Sequence, residues 1–223
     1  MSTSRARYNA NLGAQAASGL DASDITSGVL PVGVTGGSGL DLLSINLSAS
    51  GGTTIYTEGD YKVHVYKSSS TFVMGAKSGN VQYVIVAGGG GSGGWQGTGV
   101  GPNGAGGAGG VVAGSVFFSA SITYTVTVGN GGAAISSDIP GNRGGMSQIT
   151  GVDMFFRAIG GGGGGDTSNN GLDGGCGGGG GENALPFPTI SSQGFMGGTT
   201  SSNSCSGGGG GAGAVGVNAT STV

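Results

Sequence analysis

Four glycine tracts limit what this 223-residue chain can become: residues 88–94, broken only by Ser92, then 160–165, 177–181 and 207–211. The first two are fed by strand-like runs, Val81-Gln82-Tyr83-Val84-Ile85-Val86-Ala87 and Phe155-Phe156-Arg157-Ala158-Ile159. Of the 58 glycines, 46 lie between residues 88 and 223, so most of the chain's second half has few side chains with which to build a core. Glycine also loses more backbone freedom on ordering than any other residue. A flexible linker is the simplest use of such tracts, but linkers seldom alternate with strands repeatedly. The alternative is an extended helix of three residues per turn. Several such helices side by side can bond each N–H to a neighbour, because no Cβ holds the backbones apart. Gly101, Gly104, Gly107 and Gly110 keep that period over a short window. The sequence therefore predicts packed polyglycine-type helices from residue 88 onward, with Gly88, Gly107, Gly161, Gly179 and Gly209 as their structural glycines.

Strand-period alternation places strands at 61–66, 71–74 and 81–87, then at 111–112, 116–118, 122–128 and 152–159. The expected fold class is all-β: a small β-sandwich or meander merged with a glycine-rich sandwich, preceded by an extended N-terminal linker. The expected boundaries are an attachment segment at 1–52 and a glycine-rich β domain at 53–223, β-rich over 53–159. Residues 8–18 read as one short helix, but the isolated aliphatics of 21–40 give neither a helical stripe nor sustained alternation. Such a segment orders only against a partner or against copies of itself.

Only 8% of the residues are charged, and the net charge is −3. Seven scattered Lys and Arg cannot neutralise a run of phosphates, which argues against nucleic acid. No apolar run approaches a membrane span and no basic apolar leader opens the chain, so it reads as soluble and unprocessed. Cys176 and Cys205 have no CxxC spacing and no neighbouring histidine, and free thiols are favoured over a disulfide. The run from Gly88 to Gly93 satisfies a dinucleotide fingerprint after a strand. It lacks the helix that must follow, and no acidic residue occurs between Asp60 and Asp138. The run from Gly161 to Asp166 opens like a calcium nonapeptide, but Ser168 stands at its inward apolar position and no tandem copy follows. Asp166, Asp173 and Glu182 therefore read as solvated loop carboxylates. His64, the single histidine, alternates with Val63 and Val65 and reads as a surface or cross-strand residue. No base is placed beside a nucleophile, so no enzyme, metal or cofactor is expected.

The order of these pieces carries a resemblance. Tyr61-Lys62-Val63-His64-Val65-Tyr66, Phe72, the run from Val81 to Gly91, Gly106-Gly107-Ala108-Gly109-Gly110, the run from Tyr124 to Gly132 and the tract 160–165 succeed one another as in bacteriophage tail-fibre and adhesin glycine-rich domains, which residues 61–215 resemble. Ile25-Thr26-Ser27-Gly28-Val29-Leu30-Pro31 is similar to linkers of phage fibres, which are commonly trimers. The resemblance implies a virion protein, a tail-fibre or capsid-fibre component assembled in the host cytoplasm. It would be a homotrimer docked on other virion proteins through residues 1–50, and its loops would face a bacterial surface receptor. The alternative is a purely architectural capsid or tail decoration protein. Glycine tracts present backbone alone, so recognition is expected in the inserts 92–103, 133–143, 166–173 and 182–206. Trp95, Phe187, Phe195 and Met196 are the candidate receptor-binding residues, the alternative being that Trp95, Phe187 and Phe195 fold back to cap the sandwich.

Overall fold

The computed structural model describes residues 47–95, 101–152, 154–182, 185–186, 192–200 and 205–220. The helix expected at 8–18 and the linker 21–40 lie outside them, as does Phe187. Residues 47–223 form one compact unit.

The described residues are all-β, with no helix and with nine strands in three sheets, none of which closes on itself. Five strands make the largest sheet. In spatial order they are β1 (Ala49–Ser50), β4 (Ser70–Met74), β7 (Thr123–Thr127), β8 (Ser147–Thr150) and β9 (Phe155–Ala158). β5 (Gly79–Val86) and β6 (Val111–Phe118) form an antiparallel ribbon, and β2 (Thr54–Glu58) pairs with β3 (Tyr61–Val65). The sequence reading splits β6 into two pieces. It misses β2, a strand exposed at every position, and β8, whose Ser-Gln-Ile-Thr has one large apolar residue. β2 and β3 are joined through Gly59 and Asp60, and Gly59 takes φ +56°, as a two-residue hairpin turn requires.

The side-chain core is small. Phe72, Met74, Tyr124 and Val126 from the five-stranded sheet meet Phe118 from the ribbon, with Leu47, Val81 and Val116 packed around them. Phe118 stands edge-on to Phe72 at 5.5 Å and to Tyr124 at 4.4 Å, a favourable arrangement of ring quadrupoles. Further along the ribbon Ile85 and Ala87 meet Ala158, and Tyr83 covers Phe156 at 4.8 Å. Side-chain size thus falls along the ribbon toward the first glycine tract. His64 turns inward rather than to the surface. Its Nδ1–H donates to the Gly51 carbonyl at 2.7 Å and its ring meets the edge of Phe72, tying the exposed β2–β3 hairpin to the body.

Beyond Ala87 the two layers continue without side chains between them. The antiparallel register of β5 and β6 runs on, with Ala87 N–H bonded to Gly110 O, Gly90 to Gly107 and Gly93 to Gly104. That of β7 and β8 also continues, through Gly145 N–H to Asn130 O and Asn142 to Ala133. So does that of β8 and β9, through Gly144 to Gly161 and Gly141 to Gly164. The register persists, but the spacing of bonds changes from the two of a strand to three. Packed sheets sit about 10 Å apart because side chains fill the gap. Here the layers bond directly: Gly88 and Gly91 donate to Gly145 and Asn142, Gly107 to Gly162, and Gly161 and Gly164 to Gly88 and Gly91, all at 2.8–2.9 Å. The 87–94 tract bonds to four others, whereas a strand can bond to only two.

Candidate functional site

The slab built from these tracts positions whatever the loops carry. A Cβ added at Gly88 would overlap the carbonyl oxygen of Asn130, at Gly107 that of Cys176 and at Gly161 that of Gly107. At Gly179 it would meet Gly207 O, and at Gly209 Gly106 O. None of these glycines has a positive φ, so absent volume rather than backbone freedom selects them. In the 104–110 tract Gly104, Gly107 and Gly110 send N–H groups inward to Gly165, Gly162 and Ile159, while Ala105 and Ala108 turn their methyls out to solvent.

The slab grows by the same rule at its C-terminal side. Residues 172–175 run back along 160–163 through Leu172 N–H to Gly163 O and Gly175 to Gly160, and Gly162 and Gly165 then donate to Cys176 and Gly179. Gly207 and Gly210 donate to Gly180 and Gly177, and Gly177 and Gly180 donate to Phe195 and Gly198. Among the described residues, two side chains larger than alanine are fully enclosed here. Cys176 lies with its Sγ 3.6 Å from Gly109 O and against Gly194, and burial pushes its thiol pKa up. Asp166 is buried too, contrary to its expected place among solvated carboxylates. It closes a turn by accepting the N–H groups of Ser168 and Asn169, both at 2.7 Å, and the Asn169 side-chain amide. A carboxylate given three donors does not need water. Asp173 is paired with Arg143, which also donates from Nε to the Asp173 carbonyl at 2.9 Å. Cys205 is a half-buried free thiol. No group of three or more metal-ligating side chains occurs among the described residues, nor does any helix long and apolar enough to cross a membrane.

The candidate recognition residues divide. Phe195 and Met196 have their backbones built into the slab: Phe195 N–H donates to Gly211 O, and the carbonyls of Phe195 and Met196 accept from Gly177 and Gly216. Their side chains are each 43% exposed, so two large apolar groups stand in water on a fixed backbone. Trp95 is half-buried and its indole covers Gly101, where a Cβ would strike the ring. Phe187 lies outside the described residues. The structure does not bring these four into one cluster by any described contact.

Gln193 is the residue that the sequence reading overlooks. Its Nε2–H donates to Arg157 O and its Oε1 accepts from Ile159 N–H, both at 2.8 Å, so the side-chain amide stands in for a neighbouring strand on β9. Its own carbonyl accepts from Val111 N–H, which joins the start of β6 to the end of β9. Nothing local in Ser-Ser-Gln-Gly announces this role.

Residues 64–223 match the family described as the glycine-rich domain. No curated protein matches the chain, and no solved structure matches it.

Proposed function

We propose that this chain, which belongs to the glycine-rich domain family, is a non-enzymatic structural protein of a bacteriophage virion, a tail-fibre or capsid-fibre component that presents loops to a bacterial surface. The observation that carries this reading is the immobilised backbone beneath the exposed Phe195 and Met196. Exposed apolar groups on a rigid frame lose little conformational entropy on docking, as a recognition surface requires. The three-residue spacing of hydrogen bonds and the four neighbours of the 87–94 tract support reading the slab as packed three-residue helices of the polyglycine kind. In this proposal the assembly is a homotrimer attached to other virion proteins through residues 1–50.

Immunogold labelling of purified particles tests the location, and an unlabelled appendage and capsid would remove the proposal. Recognition is tested by binding of purified protein to host cells. Phe195→Ala is expected to lose binding with an unchanged thermal midpoint, whereas Trp95→Ala, whose ring covers Gly101, should lower the midpoint as well. Wild-type binding by both variants would assign these residues to packing and leave the architectural role as the reading. That second reading is favoured by one observation, the aliphatic outer face of the β5–β6 ribbon, where Val84 and Val86 are exposed beside Ala113.

A further inference from the structure

The β-body carries a second feature, a groove of about 350 Å³ at the end of the sandwich away from the slab. Phe117 from β6, Tyr124 from β7, Phe155 and Phe156 from β9 and Val152 from the connection before β9 line it. Three large apolar side chains stand exposed at its rim: Phe117 and Phe155 are each 58% exposed and Val152 81%. The volume lies near the lower end of the roughly 300–1,000 Å³ of ligand sites and is large enough for one large side chain.

β9 is the last strand of the five-stranded sheet, and among the described residues no further strand pairs with it beside this groove. The bonds from Gln193 show that the polar groups of Arg157 and Ile159 face away from β8. By the alternation of an antiparallel strand, those of Phe155 do so as well. The N–H and C=O of Phe155 and the N–H of Arg157 have no partner among the described residues. Gln193 shows the complementary mode in miniature, since its planar amide bonds this edge two residues further along. Charge supplies the third observation. The Arg157 guanidinium lies 5.5 Å from the centre of the Phe155 ring, and no carboxylate pairs with it among the described residues.

We propose that the β9 edge and the adjoining groove bind an extended, acidic–apolar strand of a partner protein. In this arrangement the partner's backbone bonds to Phe155 and Arg157. One of its large apolar side chains enters between Phe117 and Phe155, and a neighbouring carboxylate meets Arg157. Strand addition of this kind draws affinity from backbone bonds and selectivity from the side-chain pocket. The surface belongs to the β-body and does not include the Phe195 side chain.

The test uses the full chain labelled with ¹⁵N and three capped heptapeptides. The first is Thr-Val-Glu-Phe-Glu-Val-Thr, the second has both Glu replaced by Lys, and the third is the first with alternate backbone nitrogens methylated. The acidic peptide is expected to shift amides of residues 116–119 and 154–157 saturably. The lysine peptide should bind roughly fivefold more weakly, the scale of an exposed charge pair, and the methylated peptide not at all. Arg157→Glu should invert the order of the first two while leaving amide positions in the slab unchanged. The proposal is overturned by three outcomes: no saturable shift at millimolar peptide, equal binding of the methylated peptide, or shifts that follow protein concentration without peptide, which would give the groove to a second copy.

Discussion

The β-body and the glycine slab share one register yet solve the same problem by opposite means. In the body the two layers are separated by Phe72, Met74, Phe118 and Tyr124, and burial of their side chains holds the layers together. In the slab the layers have closed until carbonyl oxygens lie where Cβ atoms would be, and N–H···O bonds between tracts hold them. Hydrophobic burial tolerates small changes in shape, because apolar contacts are non-directional. A network of backbone bonds at 2.6–3.4 Å tolerates little, since donors and acceptors must meet their partners in pairs. The body should therefore resist exchange of one apolar residue for another, and the slab should resist almost no addition of volume at all.

The largest expected effect lies on the body's side. Phe118→Ala removes the ring that fills the space between Phe72 and Tyr124 and should cost about 3–5 kcal/mol, as large-to-small changes at a buried aromatic do. Chemical denaturation read by far-ultraviolet circular dichroism checks it. A loss below 1 kcal/mol would show that the slab, not this cluster, carries the unit's stability.

On the slab's side, Gly161→Val should cost on the order of 3 kcal/mol, the upper range of overpacking, because its Cβ meets Gly107 O and Ala108 O and no rotamer moves a Cβ. Gly107→Val and Gly179→Val should behave alike, against Cys176 O and Gly207 O. Unchanged thermal midpoints for all three would mean that the tracts are not interlocked.

Legibility in the sequence follows the same division. The strands that feed the body were readable because Val81, Tyr83 and Ile85, or Tyr124 and Val126, alternate with exposed neighbours at the strand period. β2 and β8 were not, since one is exposed at every position and the other offers a single large apolar residue. Glycine at 101, 104, 107 and 110 carries the period of three, but which tract bonds to which cannot be written in a residue without a side chain. That information lies in the strand registers that the tracts continue. Asp166 and Gln193 were missed for a related reason: each bonds backbone groups, and composition gives no hint of where those groups will be. Among the candidate recognition residues, Phe195 and Met196 are legible as large apolar groups between glycines, whereas for Trp95 the sequence leaves exposure and folding back both open and does not name Gly101 as the residue covered.

Gln193 allows the boundary between the two regions to be probed with a smaller effect. Gln193→Ala frees Ile159 N–H and Arg157 O at an edge that water reaches in part, so about 1 kcal/mol should be lost. Hydrogen exchange at Ile159 and Val111 should quicken while Tyr124 and Val126 stay protected. Uniform loss of protection would show instead that the body and slab open as one cooperative unit.

The smallest effect is the sharpest test, because it separates volume from glycine content within one tract. Gly131 and Gly132 are chain neighbours, and neither has a positive φ. A Cβ at Gly131 finds its nearest atom, Gly89 O, at 3.8 Å, whereas one at Gly132 overlaps Asn142 O. If the slab required glycine for flexibility, alanine at the two positions would be equally harmful. If it requires only the space that a Cβ would take, Gly131→Ala should stabilise by about 0.4–1 kcal/mol, through reduced freedom of the unfolded chain. Gly132→Ala should destabilise, because Asn142 O belongs to a backbone that also donates to Ala133 O and accepts from Gly91 N–H and cannot yield alone. Thermal midpoints moving in opposite directions for two adjacent glycines would establish backbone contact as the determinant. Midpoints moving down together would return the tract to the role of a flexible connection.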